Sequence, residues 1–225
     1  VIPWRSAALV YRIGLLIVSG WALVLLTGLD HGTFAGAVFV FFTSLSNLAV
    51  FIWVAIEVGV TVRDIRRDGW RGGSTPSARI AGYPLMSIVV TMLIYLIVLT
   101  PTVDPDELFT LQDTLVHVVV PVMMVLNWLL FTPKGHQRWF DPLLWAIPPY
   151  VYVAWAFLHH ALGGTFSGRS YPYPFMDVDV LGWGGFALYL LVLTVGLELV
   201  AYLVLHTVDR GLGARARARI REAAA

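Results

Sequence analysis

The chain has 225 residues, of which 58% are hydrophobic and 13% charged, with a net charge of +1 and a mean hydropathy of +0.77. A soluble domain of this size carries charge on close to a quarter of its residues, so the composition excludes one and marks an integral membrane protein. The absence of cysteine excludes disulfides, a thiol nucleophile and cysteine-ligated metal.

Six apolar runs, at residues 7–28, 35–60, 80–100, 110–131, 142–162 and 181–206, are each long enough to cross a bilayer core, which needs about 20 helical residues. The expectation is an all-α, polytopic protein: a single bundle of six transmembrane helices followed by a basic tail over residues 207–225. The first run starts basic (Arg5, Arg12) and has no small-residue cleavage site after it, so it reads as a retained span. The second connection, Arg63 to Arg79, is basic and Gly-rich; the third, Pro101 to Glu107, is acidic. The fourth carries Lys134, His136 and Arg138, and the tail carries Arg210, Arg215, Arg217, Arg219 and Arg221. Of the 15 Lys and Arg residues only Arg169, in the fifth connection, falls on the opposite side. By the positive-inside rule both termini are cytoplasmic. The Ala/Arg alternation of the tail suits either a helix on anionic headgroups or a solvated segment.

Within these spans the polar residues form two groups. Phe41-Phe42-Thr43-Ser44-Leu45-Ser46-Asn47 opens the second span with four polar side chains, and Thr43, Ser46 and Asn47 share one helix face. That stripe must face protein or water; its plain role is bonding within and between helices. Thr43 is expected about eight residues into its helix, roughly 12 Å below the outer surface. The fourth span brings His117 to the same level. A histidine inside a span is rare and is usually partnered or functional. Asp113 lies one turn away on the same face, although Thr110-Leu111-Gln112-Asp113 also fits a capping box. His159 and His160 end the fifth span at the outer side, about 100° apart on the helix, so at most one faces the bundle centre. Deeper lie Arg12, Glu57, Asn127 and Glu198, which are expected to pair with one another or snorkel. The sole lysine, Lys134, is in a loop, which excludes a retinal-type Schiff base within the bundle.

Taken in order, Phe41 to Asn47, His117 with Pro121, Trp128-Leu129-Leu130-Phe131 followed by Pro133-Lys134-Gly135, and Tyr171-Pro172-Tyr173-Pro174-Phe175-Met176-Asp177 resemble a bacterial family of predicted six-pass membrane proteins. The resemblance spans helices two to six. That family is similar, more distantly, to the eukaryotic androgen-induced membrane hydrolases, which cleave fatty acid esters of hydroxy fatty acids with an intramembrane threonine and histidine. The resemblance implies Thr43 and His117 as the catalytic pair. His159-His160 followed by Tyr173-Pro174-Phe175 is similar to the eukaryotic His-pair and Tyr-Pro-Phe-acid loop. The spacing from His117 to Pro121 and the residues after Thr43 depart from the eukaryotic pattern.

The chemistry expected from this set is hydrolysis of a membrane lipid acyl ester. Thr43 attacks, His117 acts as base and then acid, Asp113 orients the imidazole, and Ser46 and Asn47 donate to the oxyanion. The loop from Gly163 to Val180 forms a lid, with Tyr171, Tyr173, Phe175 and Asp177 on the substrate side. The bilayer and an acyl-ester lipid are the expected partners, in a bacterial cytoplasmic membrane with the site open to the extracytoplasmic side. No cofactor and no nucleic acid are expected. Two alternatives use the same residues: a zinc hydrolase with His117, Asp113 and His159 or His160 as ligands, and a lipid- or haem-binding or transport protein without chemistry. Broken helices would favour transport; Gly182, Gly184 and Gly185 lie near a helix end and Pro148-Pro149 would kink the fifth helix, but neither lies beside the Thr43 stripe.

Overall fold

The computed structural model describes residues 1–102, 108–211 and 213, and among these the regular structure is helical, without a strand. Residues 103–107 of the acidic connection and the tail arginines Arg215, Arg217, Arg219 and Arg221 lie outside the described residues. Helix α1 (Arg5–Thr27) stops at Gly28, whose φ of 73° is the left-handed conformation that closes a helix end. Two 3₁₀ turns, Leu29–His31 and Gly36–Val40, lead into α2 (Phe42–Asp68). Helix α3 (Gly82–Ile94) continues through a π turn, Tyr95–Leu99. The next span is assembled from α4 (Leu111–Thr114), a π turn (Leu115–Val119) and α5 (Val120–Phe131). Helices α6 (Asp141–Trp145) and α7 (Ile147–Ala161) precede α8 (Val178–Val200), which runs on into a π turn, Ala201–His206.

Among the described residues five helical segments are long and apolar enough to cross a membrane: Arg5–Thr27, Phe42–Asp68, Gly82–Thr102, Leu111–Phe131 and Val178–Gly211. This is an integral membrane protein. Residues 142–162, expected as one span, are instead split between α6 and α7. The cause is local, because Pro148 and Pro149 have no N–H for the carbonyls one turn earlier, and the helix breaks at Ala146. The second span also differs from expectation. Its first residues form the 3₁₀ turn Gly36–Val40, so Thr43 lies in the opening turn of α2 and not about two turns inside a longer helix.

Helices α1, α2, α3 and α5 pack in a closed ring, each against the next and α5 back against α1. Leu15, Val50, Val54, Leu85, Ile88, Val120 and Met124 are fully buried between them. Toward the end where α1 begins, Arg12 and Glu57 form an ion pair at 3.0 Å with both side chains entirely buried. Arg12 also donates to Asn127, Thr61, Ser74 and Thr75, and Asn127 donates to the second Glu57 oxygen at 2.7 Å. The pair is thus fully hydrogen-bonded, which is what makes a buried charge tolerable, and it straps the 69–81 connection to three helices. Helices α6 and α7 lie against α3. Gly82 is required there, since a Cβ at that position would sit 2.1 Å from the Trp145 ring. Helix α8 is peripheral: from Val178 to Val200 it has no buried residue.

Candidate active site

The site is organised by the start of α2. Phe41 precedes the helix in an extended conformation, no side chain caps it, and the first intrahelical bond is Leu45 N to Phe41 O at 3.2 Å. The N–H groups of Phe42, Thr43 and Ser44 therefore project from the positive end of the helix. That of Phe42 donates to the Tyr173 hydroxyl at 3.1 Å. The loop carrying Tyr173 is held in turn by Tyr152, whose ring packs 5.2 Å from Phe42 and whose hydroxyl donates to Val40 O at 3.0 Å. Burial pushes the Tyr173 phenol up, with hydrogen bonds from Thr43 and Phe42 opposing, so the group stays neutral and keeps its proton to donate.

His117 enters from the neighbouring span. It occupies the π turn Leu115–Val119, just before Pro121, whose missing N–H leaves the His117 carbonyl without its ordinary helical donor. The widened turn brings His117 Nε2 to 3.3 Å from the Thr43 hydroxyl. Its Nδ1 lies 2.8 Å from Asp113 Oδ1. An ionised carboxylate only accepts, so Nδ1 carries the proton and the Nε2 lone pair faces Thr43. The Asp113 carboxylate also accepts from the Phe109 N–H at 3.2 Å and from the Tyr95 hydroxyl, while its own N–H is capped by Thr110 at 3.2 Å. Capping and orientation of the imidazole are thus performed by one residue. The ring of Tyr95 stacks on that of His117 at 4.0 Å and 7°. Thr43, His117, Asp113 and Tyr95 form one connected unit.

Other residues singled out in the sequence have different surroundings. Ser46 bonds to Thr43 O at 3.0 Å and to the Thr91 hydroxyl at 2.8 Å. Asn47 spends its amide N–H groups on Thr43 O at 2.8 Å and Val116 O at 3.2 Å. Both are buried and tie α2 to α3 and to the His117 turn, so neither is free to donate to an oxyanion. His159 stacks on Trp155 and lies 3.4 Å from Thr165 O, and His160 packs on Tyr171; neither contacts Thr43 or His117. Tyr171 is buried against Phe157. Asp177 accepts from Asp179 and Val180 N–H and caps α8. Among the described residues no group of three His, Cys, Asp or Glu is arranged to hold a metal ion.

A narrow apolar groove with about 90 Å³ of free volume begins at Thr43, Phe42 and Tyr173, with Phe175 stacked on Tyr173, and continues between α3, α7 and α8. On the other side of Phe42 and Tyr152 a second recess of about 450 Å³ is lined by Phe39, Leu45, Pro148, Val151 and Trp155. The arrangement couples a hydroxyl to an oriented imidazole at one end of a narrow apolar cleft. Comparison of the chain with protein families, with curated proteins and with solved structures finds no match.

Tyr95 has no counterpart in the sequence reading. A tyrosine within Thr91-Met92-Leu93-Ile94-Tyr95-Leu96 breaks an apolar run as His117 does, and that polar handle in mid-span was its only signal.

Proposed function

We propose that the protein is an intramembrane lipid-ester hydrolase with Thr43 as nucleophile and His117 as base. The observation that carries this reading is the unbroken chain from the Thr43 hydroxyl through His117 to Asp113, at 3.3 and 2.8 Å, at the mouth of an apolar groove. An alcohol is a weak nucleophile until a neighbouring base takes its proton, and imidazole is suited to that near neutral pH. Thr43 Oγ1 attacks the ester carbonyl as His117 Nε2 takes its proton, and the carbonyl electrons move to the oxygen. The Ser44 N–H at the start of α2 and the Tyr173 hydroxyl are the donors this mechanism assigns to that charge. Collapse breaks the ester C–O bond, His117 protonates the leaving alkoxide, and an acyl-Thr43 remains. Water, deprotonated by His117, hydrolyses it to the acid and restores Thr43. Asp113 holds the imidazole in the productive tautomer and Tyr95 holds Asp113 and the ring plane.

The substrate class that fits is an acyl ester drawn from the bilayer, of which esters of hydroxy fatty acids are the example suggested by resemblance. The proposed topology has six crossings, with α6 and α7 together making the fifth, and cytoplasmic termini. The Thr43 end then faces the extracytoplasmic side of a bacterial cytoplasmic membrane. A haem carrier is not favoured, because both His117 nitrogens are engaged and its ring is covered by Tyr95. The test is hydrolysis of a panel of lipid esters by purified protein in vesicles. Wild type releases fatty acid and Thr43→Ala does not; equal release by a folded Thr43→Ala protein overturns the assignment.

A further inference from the structure

The groove has a polar far end. Helix α8 leaves the Tyr173 loop near Thr43, and the groove follows it as far as Leu197 and Glu198. Its lining extends from Leu190 to Glu198 on α8 and from Met86 to Ile94 on α3, a rise of eight residues in each case. That corresponds to about 12 Å along each helix. Apart from the hydroxyls near Thr43, the walls are apolar, both aliphatic and aromatic, until Tyr150 on α7 and Thr194 and Glu198, one turn apart on the same face of α8.

Among the described residues Glu198 Oε2 is closed off from solvent and has no hydrogen-bond partner. The deeper polar residues Arg12, Glu57 and Asn127 bond to one another, and Glu198 does not join them. A carboxyl group at this depth without a partner is unfavourable, whether charged or neutral. Beside it the Thr194 hydroxyl donates to Leu190 O at 2.6 Å, so the 2.5 Å contact with Tyr150 is donated by the tyrosine. Both hydroxyl protons are consumed within the protein. What remains unspent on these groove-lining residues is acceptor capacity, on the Tyr150 oxygen and on the Glu198 carboxyl.

We infer that the inner end of the groove is a subsite for the far end of the ligand, and that it selects acyl chains carrying a hydroxyl group at their distal end over plain alkyl chains. A hydroxyl both donates and accepts, so it complements the Glu198 carboxyl in either protonation state: it donates to an ionised carboxylate, and it accepts from a neutral carboxyl, which leaves its proton for the Tyr150 oxygen. A plain chain of the same reach leaves Glu198 unsatisfied and places methyl groups against it. This deepens the ester-hydrolase reading and rests on it only for the end of the ligand held at Thr43.

The test is binding, so that it does not depend on turnover. Purified Thr43→Ala protein is titrated with terminally hydroxylated fatty acids and with plain fatty acids of matched, stepwise increasing length, in competition with a fluorescent fatty acid. The hydroxylated member binds about tenfold tighter at the one length that reaches Glu198, the value of one well-made hydrogen bond. In the Thr43→Ala, Glu198→Leu protein the preference disappears or reverses, while plain chains still bind, which verifies that the groove is intact. Equal binding of the two series in the Glu198 protein overturns the inference, as does a preference that survives Glu198→Leu. Either result leaves acylation of Thr43, measured separately, as the test of the hydrolase itself.

Discussion

Replacement of Asp113 by Asn separates the two roles this residue combines. The carboxylate accepts from His117 Nδ1 at 2.8 Å, from the Phe109 N–H at 3.2 Å and from the Tyr95 hydroxyl. The amide of an Asn keeps one oxygen for Phe109 and Tyr95, and the cap made by Thr110 on the residue 113 N–H is untouched. Toward His117 the amide presents N–H groups, so the imidazole moves its own proton to Nε2 to avoid opposing donors. The Nε2 lone pair that faces Thr43 is then lost. In serine hydrolases the equivalent change lowers turnover by about 10⁴, or about 5 kcal/mol of transition-state stabilisation. The expected result is ester hydrolysis down by three to four orders of magnitude, with a thermal midpoint close to wild type because packing is conserved. Initial rates on a lipid ester in vesicles, with circular dichroism melts in the same detergent, measure both. Activity within tenfold of wild type in a folded Asp113→Asn protein would show that Asp113 is a helix cap and nothing more.

Tyr95→Phe keeps the ring on His117 and removes only the hydrogen bond to Asp113. A hydrogen bond to a charged group is worth about 1.5 to 3 kcal/mol, so kcat falls about ten- to a hundredfold while KM is little changed; an unaltered kcat contradicts the role. Arg12→Met strands the buried Glu57 carboxylate and costs about 3 to 5 kcal/mol, whereas Arg12→Met with Glu57→Leu costs far less, as thermal melts of the two proteins will report. If the single variant is the more stable, the charge pairing is misread. Burial lowers the Lys134 ammonium to about 8 from an ordinary 10.5, with Asp209 opposing. Between those values the folded protein binds fewer protons than the unfolded chain. The Lys134 contribution therefore makes stability rise with pH from about 8 to 10.5, by up to about 3 kcal/mol. Lys134→Met removes that rise; a pH profile unchanged by the substitution contradicts it.

The bilayer-spanning character and most helix positions were legible because long uninterrupted apolar runs have few other solutions. The pair Thr43 and His117 was legible for the opposite reason, as polar groups that lipid does not tolerate without a partner. Their meeting was not legible. It depends on a π turn before Pro121 and on α2 starting at Phe42, and neither hydropathy nor an apolar residue before the helix, Phe41, marks such a start. For the same reason the oxyanion role expected of Ser46 and Asn47 did not survive the geometry, since helix start and rotation decide which N–H groups stay open. The division of residues 142–162 into α6 and α7 follows from prolines visible in the sequence, but a 21-residue apolar run outweighed them. Glu198 was grouped with Arg12 and Glu57 by depth alone. Depth does not tell which side of a helix faces the bundle and which faces a groove.

The most direct measurement is labelling of the purified protein with a lipophilic fluorophosphonate, with the adduct located by mass spectrometry. The account predicts a single adduct on Thr43 that is lost in His117→Ala and blocked by a competing lipid ester. No adduct on folded wild-type protein, or an adduct on another residue that persists in Thr43→Ala, would contradict it.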